Sequence, residues 1–253
     1  GGGIVRSFGS WNIGGALNID AKQGYRSSDP RPNNTSTALG LNFSVSREIN
    51  QDYLLSVSVH GELFKEKDIL NFVGSVGNPL IINLNGLGSY NNLLTGTGSS
   101  SSTRANADFT TKNIETSVQL MPTDRGLWLS LTAAKEFGDK TIPRSFEAIN
   151  HWEEQKTKLV LGYEGQLDFL KYVAVVEWKT QSRKGDEGLF TSSSGKDYDV
   201  TQISRMSSYR YYNDEYSGSI TIGMNNWNAR LHGTYVDMRR HFARKKTNRF
   251  RQE

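Results

Sequence analysis

Residues 37–63 read TALGLNFSVSREINQDYLLSVSVHGEL, and taking every second position splits them into two sets. Leu39, Leu41, Phe43 and Val45, then Tyr53, Leu55, Val57, Val59 and Leu63 beyond a polar turn, form the first. Gly40, Asn42, Ser44 and Ser46, then Ser56, Ser58, His60 and Glu62, form the second. Successive strand side chains point to opposite faces, so the pattern predicts two antiparallel strands with one apolar and one polar face. Each run is about ten residues, longer than the ~5–6 common in soluble sheets and matched to the ~9–11 that a tilted strand needs to cross a bilayer.

The same alternation recurs along the chain and predicts about nine strands. Besides the pair above they are Trp11 to Ala21, Asn113 to Met121, Leu127 to Phe137, Lys156 to Leu167, Tyr172 to Thr180, Tyr216 to Met224 and Trp227 to Asp237. The connections between them fall into two classes that alternate. Glu48–Asp52, Pro122–Gly126, Asp168–Lys171 and Asn225–Asn226 are short, whereas 22–36, 64–112, 138–155 and 181–215 are long. In an up-and-down barrel alternate connections emerge at the same end, so one end is trimmed and the other elaborated. Outer-membrane barrels have this asymmetry, with short periplasmic turns and long surface loops. The fold class expected is therefore all-β, a single domain over 1–253 forming an antiparallel up-and-down transmembrane β-barrel. About nine visible strands leave the last one on the long-loop side, so this reading expects at least one further strand to complete an even count.

Bulk composition leaves the choice open. Mean hydropathy is negative, but in a membrane barrel lumen-facing polar residues offset lipid-facing ones in every window. No run approaches the ~18 apolar residues of a membrane helix. Cysteine is absent, which removes disulfides, thiolate metal sites and a cysteine nucleophile. Residues 1–10 have neither the basic start nor the apolar stretch of a signal peptide. The net charge of +4 is modest, and much of it is gathered in Arg239, Arg240, Arg244, Lys245, Lys246, Arg249 and Arg251.

On the barrel reading the inward parity carries His60, Glu62, Glu115, Lys158, Glu164, Glu177, Lys179, Arg230 and His232, as a selective lumen or as salt-bridged packing. Tyr53, Tyr172 and Trp227 follow short turns on the lipid-facing parity, with Trp178 and Tyr235 near the opposite strand ends, as two aromatic girdles require. Trp128 takes the inward parity instead. Arg239, Arg240, Arg244, Lys245 and Lys246, placed at the outer rim, have lipopolysaccharide phosphates as natural counter-ions. A nucleic-acid role for this basic end has no recognition fold behind it.

The segment 96–102, GTGSSSS, reads as an exposed loop tip. His151-Trp152-Glu153-Glu154 invites a metal reading and Asp186, Glu187, Asp197 and Asp199 a divalent-cation reading. In each case a hydrated loop is the preferred account of the residues. No nucleophile motif supports catalysis, and neither cofactor nor metal is expected.

Across most of its length the chain resembles Gram-negative outer-membrane β-barrels, in particular an uncharacterised family of Bacteroidota-type barrels. The familiar segment is Gln23-Gly24-Tyr25-Arg26-Ser27-Ser28-Asp29-Pro30-Arg31-Pro32. The resemblance implies a bacterial outer-membrane location and transfers no catalytic residue. The partners expected are the bilayer, lipopolysaccharide and other outer-membrane proteins, with no nucleic acid. The function expected is a non-enzymatic barrel that presents surface loops to a partner or ligand, or passes small solutes. The rivals are a surface hydrolase on a barrel and a soluble β-sandwich carbohydrate-binding module.

Overall fold

The structure is a computed structural model that describes residues 1–27, 31–50, 52–71, 81–86, 89–96, 106–141, 148–190, 202–224, 227–242 and 245–252. All regular structure is strand. β1 (Gly2–Phe8), β2 (Trp11–Tyr25), β3 (Arg31–Ile49) and β4 (Tyr53–Asn71) come first, followed by β5 (Ile81–Gly86) and β6 (Ser89–Gly96). Then come β7 (Ala107–Pro122), β8 (Gly126–Thr141), β9 (Ala148–Leu167), β10 (Leu170–Phe190), β11 (Gln202–Met224), β12 (Trp227–Phe242) and β13 (Lys245–Gln252). Eleven strands form one sheet in the order β1-β2-β3-β4-β7-β8-β9-β10-β11-β12-β13, and β5-β6 is a separate hairpin. Each neighbouring pair in the main sheet is antiparallel. This is an all-β, up-and-down meander consistent with a β-barrel, though no pairing between β1 and β13 closes it among the described residues.

The expected strands are present, and two more flank them. β1 escapes the alternation because its two faces are mixed: Gly2, Ile4, Arg6 and Phe8 on one, Gly3, Val5 and Ser7 on the other. β13 escapes because Phe250 is its one apolar residue and no alternation can form, so what reads as a basic tail is the end of β12 and its hairpin partner. The short connections expected at Pro122–Gly126 and Asp168–Lys171 stand where predicted, and β3 and β4 reverse within Glu48–Asp52; Asn225–Asn226 lies outside the described residues. Gly9, Asn50 and Asp168 occupy the left-handed region that tight strand reversals demand.

The other ends of the strands lie well beyond the expected limits. β9 is 20 residues, β10 is 21 and β11 is 23. Consequently much of 22–36, 64–112, 138–155 and 181–215 is strand: Lys22–Tyr25 completes β2, and β9, β10 and β11 take up Ala148–Gln155, Gln181–Phe190 and Gln202–Glu215. Hydrophobic alternation stops partway up each strand, while the hydrogen-bonded ladder continues with polar residues on both faces.

Position in this sheet sorts side chains by parity into an outer, apolar face and an inner, polar one. Successive partners from β2 to β12 on the outer face are Ile13, Val45, Val57, Val118, Leu131, Leu159, Trp178, Tyr216 and Tyr235. A row nearer the far end reads Ile19, Leu39, Leu63, Lys112, Phe137, Glu153, Lys184, Arg210 and His241. That row is apolar in β2 to β4 and mostly charged from β7 onward. Towards the short turns the apolar residues continue to Leu167, Leu170, Met224 and Trp227 in β9 to β12. The apolar band is thus oblique to the hydrogen-bond rows, as a level band must be when strands tilt ~35–45° to it.

Among the described residues of the main sheet, the side chains of that band are left uncovered. Val176 is 63% exposed, Leu231 75% and Trp227 78%, and they belong to a long series of exposed large apolar residues. Among the described residues the buried apolar side chains are Ala107, Val160 and Tyr209, all on the inner face. Ser117, Lys140, Asn150 and Glu154, also on the inner face, are buried polar residues. Asp237 is buried on the outer face, so burial falls mainly, though not solely, on the inner, polar side of the sheet.

Candidate functional site

Two linked sets of charges occupy the inner face of β8 to β11. The one nearer the short turns joins Lys158 in β9, Glu177 and Lys179 in β10 and Glu215 in β11. Lys158 Nζ lies 2.8 Å and Lys179 Nζ 2.5 Å from the Glu177 carboxylate, and Lys179 also reaches Glu215 at 3.2 Å. Three of these were expected from the sequence. Glu215 was not, because it falls just beyond the alternating part of β11.

The second set stands higher on the same strands and centres on Glu154, which is 1% exposed. Arg183 Nε donates to Glu154 Oε2 at 2.5 Å, Lys156 Nζ approaches Oε1 at 2.8 Å, and the Gln181 amide donates to Oε1. Trp152 Nε1 donates to Glu136 Oε1 at 3.1 Å, and Arg183 bridges to that carboxylate at 3.6 Å. Burial opposes ionisation of Glu154, but the hydrogen bonds from Lys156 and Gln181 and the charge of Arg183 outweigh it and hold the carboxyl below its usual range. Tyr209 lies beside this set, and burial pushes its phenol up. Both Glu154 oxygens and one of Glu136 are held by donors from neighbouring strands, so the cluster forms a hydrogen-bonded polar core for the upper part of the sheet.

Aromatic rings fix the inner face of these strands by lying over cross-strand glycines. Trp128 covers Gly162, Trp152 covers Gly138 and Tyr209 covers Gly185, each so closely that a Cβ on the glycine would overlap the ring. Trp128, which broke the expected outward pattern, therefore has a packing role within the inner face.

The remaining inner-face residues stay apart from these sets. His60 Nε2 is 3.9 Å from Glu62, and Glu115 is the register partner of His60. Glu164 stands near the short-turn end of β9, opposite Gly126 and Val173. Arg230 and His232 are exposed on β12, with His232 Nε2 3.0 Å from Thr234 Oγ1. Within His151-Trp152-Glu153-Glu154 the strand sends alternate side chains to opposite faces. His151 meets Asp139 at 2.8 Å on the outer face, Glu153 joins the outer lysines, and Trp152 and Glu154 turn inward. Among the described residues no group of three or more metal-ligating side chains converges. Asp197 and Asp199 lie outside the described residues, as do Ser99 to Ser102.

All five expected girdle residues take the outer parity. Tyr53, Tyr172 and Trp227 stand at the short-turn end, and Trp178 and Tyr235 share the row at the upper edge of the band with Tyr216. Tyr163 stacks on Tyr172 at 5.9 Å and Tyr216 on Tyr235 at 6.3 Å, while Arg47 lies 5.0 Å over Trp11. Of the basic residues expected at the rim, Arg239 faces outward, bound to Asp237 at 2.6 Å. Arg240 belongs to the inner face, 6.0 Å over Tyr211, because its neighbour in the strand already occupies the outer parity. Arg244 and the side chains of Lys245 and Lys246 lie outside what the structure describes.

Residues 1–251 match a family of unknown function, DUF6850, and the chain belongs to that family. No curated protein and no solved structure matches it.

Proposed function

We propose that this DUF6850 chain forms a β-barrel wall in a bacterial outer membrane, its short turns in the periplasm and its long polar half-strands standing clear of the bilayer on the cell surface. The observation that carries this reading is the oblique, uncovered apolar band. A soluble sheet buries its apolar face against a second layer; here the large apolar side chains of nine strands stay exposed on the outer face while the charged residues take the inner one. Lipid is the solvent that makes such an arrangement favourable, and antiparallel strands satisfy their backbone groups within it.

The band accounts for only about half of each long strand, which assigns the two halves different tasks. The lower half anchors. The upper half, charged on both faces from β8 to β11, is the surface offered to a partner or ligand, and the inner-face charges line the path for any small solute. The reading is tested by reconstituting the chain in phosphatidylcholine vesicles and measuring flotation, carbonate resistance and strand content together. Flotation with strand content preserved supports it, whereas a folded, monodisperse protein in detergent-free buffer refutes it.

A further inference from the structure

Directly above the apolar band on β8 to β11, the outer face carries a cationic patch that neither the lumen nor the bilayer anchor explains. Its centre is a pocket of about 270 Å3 lined by Glu153, Gln155, Ser182, Arg183, Lys184, Arg210 and Tyr212. Glu153 binds Lys135 Nζ at 2.8 Å through one oxygen and Lys184 Nζ at 2.7 Å through the other, and Gln155 Nε2 donates to it at 3.2 Å. Hydrogen bonds from Lys135, Lys184 and Gln155 hold the Glu153 carboxyl down at about 2, so it is a fixed anion that sets two ammonium groups side by side. Arg210 is the register partner of Lys184 and makes no ion pair among the described residues. Lys135 and Lys184 thus share one carboxylate across adjacent strands, with Arg210 beside Lys184 on the next strand, and both lysines keep a large part of their surface exposed.

What lies beneath the patch decides what it fits. Moving from Gln155 and Ser182 towards the short turns, the next outer residues are the uncharged Thr157 and Thr180, followed by Leu159 and Trp178 at the top of the band. Leu131 is the partner of Leu159, and Leu161 and Val176 continue downward. Asp214 and Asp237 occupy the same level on β11 and β12, so the open path to the band runs over β8 to β10. A ligand seated here meets cations first and an apolar slope below, the two separated by four residues on β8 and six on β9 and β10, about 13–20 Å along the strand at ~3.3 Å per residue.

We propose that this pocket binds a phosphate group of an anionic glycolipid in the outer leaflet, with Lys135, Lys184 and Arg210 holding the phosphate and the acyl chains lying on Leu131, Leu159 and Trp178. The inference rests on the membrane reading above and assigns the lipid contact to the upper outer face of β8 to β11, not to the end of β12. Guanidinium and ammonium groups donate charge-assisted hydrogen bonds to phosphate oxygens, and the Glu153 carboxylate pre-orders two of the donors so that less freedom is lost on binding.

The test uses the full chain reconstituted in detergent micelles, with native mass spectrometry reporting bound lipid. The probes are lipid A carrying its phosphates, the same lipid dephosphorylated, and inorganic phosphate as competitor. Wild type retains the phosphorylated lipid in preference to the dephosphorylated one. Lys184→Gln with Arg210→Gln should weaken that retention about tenfold or more, the loss expected when charge-assisted hydrogen bonds go, and leave the dephosphorylated lipid unaffected. Lys65→Gln with Lys67→Gln makes the same charge change on the outer face of β4, away from the pocket, and should have no effect. Circular dichroism of each variant confirms that the sheet is intact.

Three results overturn the site: equal retention of both lipids, an equal loss in the β4 variant, or displacement by inorganic phosphate at the lipid's own concentration, which would mark a free-anion site. A chain that fails to enter vesicles at all would overturn the membrane reading itself, whereas insertion without phosphate preference overturns this inference alone.

Discussion

Leu41 and Gln155 lie in one hydrogen-bonded row of the sheet, linked through Gly61, Ile114 and Lys135, yet the oblique band puts them at different depths. On β3 the outer apolar residues run from Leu39 to Val45, so Leu41 is inside the band, and it is 59% exposed. On β9 the corresponding residues begin at Leu159, so Gln155 is outside. Arginine at the middle of a bilayer costs ~2–4 kcal/mol on a barrel strand, falling to ~0–1 kcal/mol near the interface. Leu41→Arg should therefore lower the folding equilibrium by about 30- to 1,000-fold, while Gln155→Arg changes it little. The assay is urea titration of the chain refolded into phosphatidylcholine vesicles, followed by tryptophan fluorescence, with Ser58→Thr on the inner face as a mild control. Equal costs for Leu41→Arg and Gln155→Arg would refute the oblique band and the tilt argued from it. A Leu41→Arg variant as stable as wild type would refute the lipid-facing assignment altogether.

Removing the Glu154 carboxylate by Glu154→Ala leaves Arg183 and Lys156 without their shared anion, and chemical denaturation should show a loss of ~3–5 kcal/mol; replacing Glu154, Lys156 and Arg183 together with apolar residues should recover much of it. Gly162→Val drives a side chain into the Trp128 ring, so it should cost ~1–3 kcal/mol of overpacking, most of which Trp128→Ala in the same chain relieves in a double-mutant cycle. The Glu153 link has a defined pH window. Its folded-state pKa of about 2 lies below the ordinary 4.5, so its stabilisation is complete above about 4.5 and is lost as pH falls towards 2. Hydrogen exchange of β9 and β10 amides near Glu153 should accelerate across that window, and Glu153→Gln should abolish the dependence.

What the sequence disclosed and what it withheld divide along the strands themselves. Leu39, Leu41, Phe43 and Val45 announce β3 because outer and inner residues differ in polarity at every step. The short-turn ends are legible for the same reason, with Asn50 and Asp168 adding local turn chemistry. Above the band both faces are polar, so residues such as Glu153, Glu154, Gln181 and Arg183 have no period to betray a strand, and 138–155 and 181–215 read as loops. The Glu154 cluster was hidden with them: its members come from β8, β9, β10 and β11, and only the register brings them together. Lys158, Glu177 and Lys179 were found because they sit low enough to share strands with the alternating apolar residues. One local signal was available for the upper region. Trp152 is a large ring on the polar face and Gly138 a glycine within a strand, and together they signal close cross-strand packing, as Trp128 and Gly162 do nearer the short turns.

Those ring-on-glycine contacts answer a problem the polar half-strands create. Where one face is buried and apolar, sliding a strand by one residue exposes its whole apolar set, so pairing is self-correcting; where both faces are polar, a slip changes little and neighbouring alignments become nearly equivalent. Trp128, Trp152 and Tyr209 are single-position keys, since each ring has room only where its partner strand presents Gly162, Gly138 or Gly185. Displacing β9 against β8 by two residues would set each indole against a residue with a side chain, at two points at once. The alignment of the polar half is therefore enforced by steric exclusion at Trp152–Gly138 and Tyr209–Gly185, with Trp128–Gly162 keying β8 to β9 nearer the short turns, leaving the intervening polar positions free to change without loosening the strand pairing.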